Sequence, residues 1–175
     1  MWNLEQCDLP QAVLDKLPKI EIHEHDPIEA VEKIIAGMPS PPEIVRAGSK
    51  ACYSPITDRI TLPPRELFES AAEDGATTLH ELSNSTGHER CLGREGITEV
   101  APFGSAVYSR EELVAELSAA FFCAEAGISN EVIRNQAAYV AGWCTRLRDD
   151  RRLIVQAAAQ AQKAADYILN RRLAE

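Results

Sequence analysis

The chain has 175 residues, 45% of them hydrophobic, which is enough for one domain with a real core and short for two. Its 18 basic and 27 acidic residues leave a net charge of -9, a balance that repels phosphate backbones and argues against strong nucleic-acid binding by this segment. No apolar run approaches the roughly 18 residues of a membrane span. The start "MWNLEQCDLP" also lacks a basic region followed by an apolar core. Cys7, Cys52, Cys91, Cys123 and Cys144 are scattered and never form a C-x-x-C pair, so neither a disulfide framework nor a zinc knuckle is expected. These features predict a cytoplasmic protein with reduced thiols and no membrane partner.

Along the chain, "KIEIHEHDP" alternates apolar and polar side chains in the period of a strand. His23 and His25 would share one face, either as a metal pair or simply solvated beside Glu24 and Asp26. "PIEAVEKIIAGMPSPP" reads as a short helix with Ile28, Val31, Ile34 and Ile35 on one side, ended by Gly37 and the prolines. "PEIVRAG", "KACYSP" and "DRITLPP" are three extended pieces, the last two pairing antiparallel across a turn at residues 54–58. "RELFESAAED" and "ATTLHELSNS" read as helical segments on either side of Gly75, which costs about 1 kcal/mol relative to alanine if it lies inside a helix. After His88 comes a loop, "GREGITEVAPFGS". Ser109 then caps "REELVAELSAAFFCAEAG", with Glu112 completing a capping box and Gly127 as the stop. Two more helices follow, "NEVIRNQAAYVAGWCTRLRDD" and "RRLIVQAAAQAQKAADYILNRRL". The pattern is α+β, a small antiparallel sheet followed by a helical body.

The stretch "LHELSNSTGH", residues 79–88, contains part of a metal-binding signature. In an H-E-x-x-H helix two histidines one turn apart bind a zinc ion and the glutamate acts as general base. Here His80 and Glu81 hold the first two places, and Asn84 stands where the second histidine belongs. An asparagine amide is a neutral oxygen donor and a poor substitute for an imidazole in such a site, so metal affinity should fall. Glu112 and Glu116 lie one turn apart on a later helix. They suit a third metal ligand and a carboxylate that orients the histidine, or else a solvated face shared with Glu111. Position 90 is arginine, which excludes the class with a third histidine there. His88 reads as a helix-end residue near the cleft, or as a replacement ligand.

Together "ACYSPITDRITLPPRELFESA", "TTLHELSNSTGHERCLGRE", "FGSAVYSREELVAELSAAFFCAEAGI", "AAYVAGW" and "AAAQAQKAADYIL" resemble the C-terminal zincin-like metallopeptidase domain of ArdC antirestriction proteins and plasmid TraC primases. The resemblance implies a gluzincin-type fold with an active-site helix, spanning residues 28–175. It implies residues 1–27 as the linker or remnant of an N-terminal domain that binds single-stranded DNA. It implies mobile-element biology, with a peptide or protein as substrate or partner. Carried onto this chain, it implies His80 and Glu112 as zinc ligands with Asn84 in the second histidine's place. It also implies Glu81 as general base, Glu116 as the carboxylate behind His80, and Tyr139 as a hydroxyl that polarises a scissile carbonyl or else a core tyrosine. The family form is H-E-L-x-H-x-T-G-H, and "EDGATT" before His80 also departs from it. The expectation is a metallopeptidase fold with a damaged zinc site. The alternative is a non-catalytic interaction or DNA-protection module.

Overall fold

The apolar spacing of "EAVEKIIAG" winds Glu29–Gly37 into helix α1, with Val31 and Ile34 turned inward. The computed structural model describes residues 22–99, 105–128 and 151–171. Strands β1 (Glu43–Arg46), β2 (Cys52–Ser54) and β3 (Arg59–Leu62) form one sheet in the order β1-β3-β2. β2 pairs antiparallel with β3, Cys52 opposite Thr61 and Ser54 opposite Arg59, as the sequence predicts. Asp58, at φ 45°, makes the tight reversal between them.

The sheet is mixed, however, because β1 runs parallel to β3. Alternation within a strand identifies its faces but not the direction of its neighbour. The centre goes to β3, whose Ile60 and Leu62 are fully buried. No strand forms in 22–27. There the backbone N–H of His23 donates to the Glu66 carbonyl, and His25 Nε2 donates to the Arg65 carbonyl at 2.9 Å. This segment is tied to the short 3-10 turn Arg65–Leu67 instead of the sheet.

Of the two helical pieces expected around Gly75, the first is cut short, since Arg65–Leu67 is only a 3-10 turn; its end joins the second in one helix, α2 (Ala71–Ser85), started by Ser70, whose hydroxyl accepts from the Glu73 N–H. Gly75 lies inside it at a crossing point. A Cβ there would stand 3.1 Å from Val31 Cγ2 and 3.2 Å from Ile128 Cδ1, so its small size lets α1 and Ile128 close on the helix. At the same end Arg46 grips Asp74 with both terminal nitrogens, at 2.6 and 3.1 Å.

Helix α3 is short (Glu95–Thr98), and α4 runs from Ala106 to Glu125. Its cap is Ser105, whose Oγ accepts from the Tyr108 N–H at 3.1 Å. Ser109 therefore sits inside the first turns and is buried, a correction to the expected start. Gly127, at φ 70°, ends α4 as expected: its N–H donates to Ala124 and that of Ile128 to Cys123, a left-handed stop that satisfies the last carbonyls. Helix α5 (Arg151–Ile168) packs Ala157 and Ala161 against Leu113 and Val114 of α4.

The main core joins Ile60 and Leu62 of the sheet to Leu79 and Leu82 of α2, Phe122 of α4 and Ile168 of α5. Among the described residues no helix is long and apolar enough to cross a membrane. The helix expected over "NEVIRNQAAYVAGWCTRLRDD", with Tyr139 and Cys144, lies outside the described residues, as does Cys7.

Candidate functional site

Leu79 and Leu82 bury the inner side of α2 completely. The helical period then turns His80, Glu81 and Asn84 toward a cleft of about 510 Å³ between α2, α4 and the β2 edge. Starting α4 at Ser105 puts Tyr108, Glu112 and Glu116 one turn apart along the opposite wall. His80 Nε2 is 3.8 Å from Glu112 Oε2, and its Nδ1 is 3.7 Å from Glu116 Oε1. The structure thus brings together His80, Glu81, Asn84, Glu112 and Glu116. His88 is not among the residues lining this cleft. It sits past the end of α2, beside an adjoining depression that shares Pro55 and Ile97 with the cleft, and its Nδ1 accepts from the Arg90 N–H at 3.2 Å.

Burial dominates the electrostatics. It pulls the His80 pKa down to about 4, so the imidazole is neutral near pH 7 and its two carboxylate neighbours are not ion-pair partners there. Both separations also exceed hydrogen-bond length.

Glu81 is pushed up to about 7 by burial, with Glu112 adding to the rise. Hydrogen bonds from the Asn84 amide and from the Tyr53 backbone N–H of β2 hold it back. The Asn84 contact is long, Nδ2 to Glu81 Oε2 at 3.5 Å. Glu116 likewise rises to about 7, through burial and then through Glu112. Glu112 is raised by burial, with the Tyr108 hydroxyl bond lowering it and Glu111 raising it. Four glutamates, Glu81, Glu111, Glu112 and Glu116, thus line a partly dry cleft that no lysine or arginine lines among the described residues.

Such a cluster has the polarity to attract a divalent cation, and the donor set can be tested against zinc. Ligand bonds of about 2.0–2.2 Å to one tetrahedral ion place two donor atoms roughly 3.3 Å apart, close to the His80–Glu112 spacing of 3.8 Å. Asn84, one turn after His80, reaches less far than a histidine Nε2 would and turns its amide to Glu81. Among the described residues no three His, Cys, Asp or Glu side chains form a ready cage. The described residues do not complete a zinc site.

The sequence did not reveal Tyr108 or the Tyr53 N–H as parts of this site. Tyr108, Glu112 and Glu116 recur every four residues, a pattern that includes Tyr108 only when the helix starts at Ser105.

Comparison with known proteins accords with this geometry. Residues 29–160 match the zincin-like metallopeptidase family MPTase-PolyVal. The chain belongs to that family. Two proteins named DNA primase TraC from Escherichia coli are similar to it. One is 43% identical over 123 residues, covering 70% of this chain and 8% of the relative. The other is 38% identical over 173 residues, covering 97% and 15%. Protein y4eC of Sinorhizobium fredii is 36% identical over 145 residues, 83% of this chain and 46% of that protein. The chain therefore spans less than half the length of these relatives.

The crystal structure of the antirestriction protein ArdC from plasmid R388 in its Mn(II)-bound form is also similar. It superposes with a TM-score of 0.66 at 34% identity, covering 90% of this chain and 58% of that one. Its metal-free form gives 0.64 at 33%, covering 97% and 58%. The zincin-like α+β fold expected from the sequence is the fold of this family.

Proposed function

We propose that this chain is the zincin-like domain of an antirestriction-type mobile-element protein, descended from a zinc metallopeptidase, whose divalent-metal centre is impaired by Asn84. The observation that carries the reading is the pairing of His80 with Glu112 across the cleft, with an amide where the second imidazole would stand. In this reading His80 and Glu112 are the remaining ligands and Glu116 orients the imidazole. Glu81 is the base, a carboxyl that can hold or release a proton near neutral pH. Tyr139 is proposed as the hydroxyl facing a scissile carbonyl. The β2 strand is a sheet edge beside the cleft and is the place where an extended peptide would add as a further strand. Single-stranded DNA would be held by a separate domain, and the site of action would be the bacterial cytoplasm.

The test is metal titration of the unmodified chain and of Asn84→His, with zinc and manganese, alongside casein hydrolysis. Losing even a partner that only orients a ligand weakens a metal site by about 10 to 100-fold, so Asn84→His should tighten zinc binding by at least that factor. Tight, stoichiometric zinc in the unmodified chain would overturn the impaired-site reading. A variant that binds zinc yet cleaves nothing favours the interaction or DNA-protection module, which Asn84 itself also favours.

A further inference from the structure

We propose that Arg94 and Glu111 form a positioning clamp that sets the carboxylates of α4 against the imidazole of α2. Both side chains are buried, at 7% exposure each. Arg94 Nε donates to Glu111 Oε2 at 2.7 Å, one terminal nitrogen donates to Thr86 Oγ1 at 2.6 Å, and the other to the Ser83 carbonyl at 3.1 Å. Ser83 and Thr86 are the last turn and cap of the helix that carries His80. Glu111 directly precedes Glu112. One rigid guanidinium therefore fixes the end of α2 to the first turns of α4 at the wall of the cleft.

Two glycines are shaped for this clamp. A Cβ at Gly96 would lie 2.5 Å from Glu111 Cγ, and one at Gly87 would lie 2.4 Å from Ile97 Cγ1 and 3.1 Å from an Arg94 terminal nitrogen. Stability alone does not call for such a pair, because apolar residues of similar volume bury without desolvating two charges. The ion pair supplies direction: a planar fork whose donors meet acceptors on two different elements. The Arg46–Asp74 pair does a similar job at the opposite end of α2, and neither of its members lines the cleft. It is the natural control.

The clamp rests on the reading of His80, Glu112 and Glu116 as the functional centre, and its test uses no metal. The rate of His80 acylation by diethyl pyrocarbonate is followed by peptide mass spectrometry on the full chain. Arg94→Met, Arg94→Lys, Glu111→Gln and Arg46→Met are compared, each at the same margin below its own melting midpoint. Arg94→Met and Glu111→Gln should expose His80 by local opening, raising its rate about tenfold. Arg94→Lys should fall between them and the parent, and Arg46→Met should match the parent. An unchanged rate in Arg94→Met would overturn the proposal, as would an equal rise in Arg46→Met. Should Arg94→Met fail to fold, the ordering of Arg94→Lys and Glu111→Gln against Arg46→Met decides in the same way. An Asn84→His variant that binds neither zinc nor manganese while this ordering holds counts against the centre and not against the clamp.

Discussion

Replacing Glu116 with glutamine should stabilise the chain at alkaline pH and leave it nearly unchanged in acid. The Glu116 carboxyl rises from its ordinary 4.5 to about 7, first through burial and then through Glu112. The folded chain therefore holds this proton more tightly than the unfolded chain does. The resulting stability is fully present below about pH 4.5 and is lost as pH climbs through about 7. A shift of that size corresponds to about 3 kcal/mol between the two limits. Glutamine keeps the shape without the charge, so most of the loss should vanish, a gain of about 2 kcal/mol at pH 8 and close to zero at pH 4.5. His80 acts in the opposite sense. Its pKa is lowered by burial, so protonation of the unfolded chain erodes stability as pH falls from about 6.5 toward 4. This contribution is common to parent and variant and largely cancels in their difference. Urea unfolding followed by circular dichroism, with chelator present and slopes compared, measures the difference at both pH values. Equal destabilisation at pH 4.5 and 8 would refute the argument, because it would make Glu116 a packing group and not a strained acid.

Gly96→Ala should destabilise by about 1–3 kcal/mol through overpacking, since the new methyl meets Glu111 Cγ at 2.5 Å and Val107 Cγ1 at 3.0 Å; a lowered melting midpoint checks it. Tyr108→Phe removes a hydroxyl whose hydrogen bond holds Glu112 down. The Glu112 carboxyl should then titrate at higher pH, visible in the carbon NMR shift of that side chain.

The identity of the fold was legible because its signals are local and repeated. The stripe of Val31 and Ile34, the hairpin from Cys52 to Leu62, the glycine stop at 127 and the alanine face of α5 all show in the order of residues. The Glu112–Glu116 pair was legible too, since both fit one helical face, and that face meets His80 of α2 across the cleft. What stayed hidden depends on tertiary partners. The parallel pairing of β1 with β3 is a matter of chain direction, which side-chain alternation does not encode. The unbroken helix through Gly75 is decided by Val31 and Ile128 packing over it. The choice of Ser105 over Ser109 as a cap is not resolved by the capping-box pattern, because Ser105 caps without a glutamate partner. Arg94 lies in a stretch that reads as a loop, and its buried contacts to Glu111, Thr86 and Ser83 depend on how α2 and α4 pack.

The division of labour within α2 bears on how such a domain can diverge. Leu79 and Leu82 carry the packing, while His80, Glu81 and Asn84, on the neighbouring face, carry whatever chemistry the cleft performs. An amide at position 84 gives the neighbouring carboxylate a donor, so a lineage that loses the imidazole does not strand a bare acid in the protein interior. Residue 84 can therefore change without disturbing the packing of Leu79 and Leu82. Selection can act on the cleft-lining face of such a helix while its packing face stays the same.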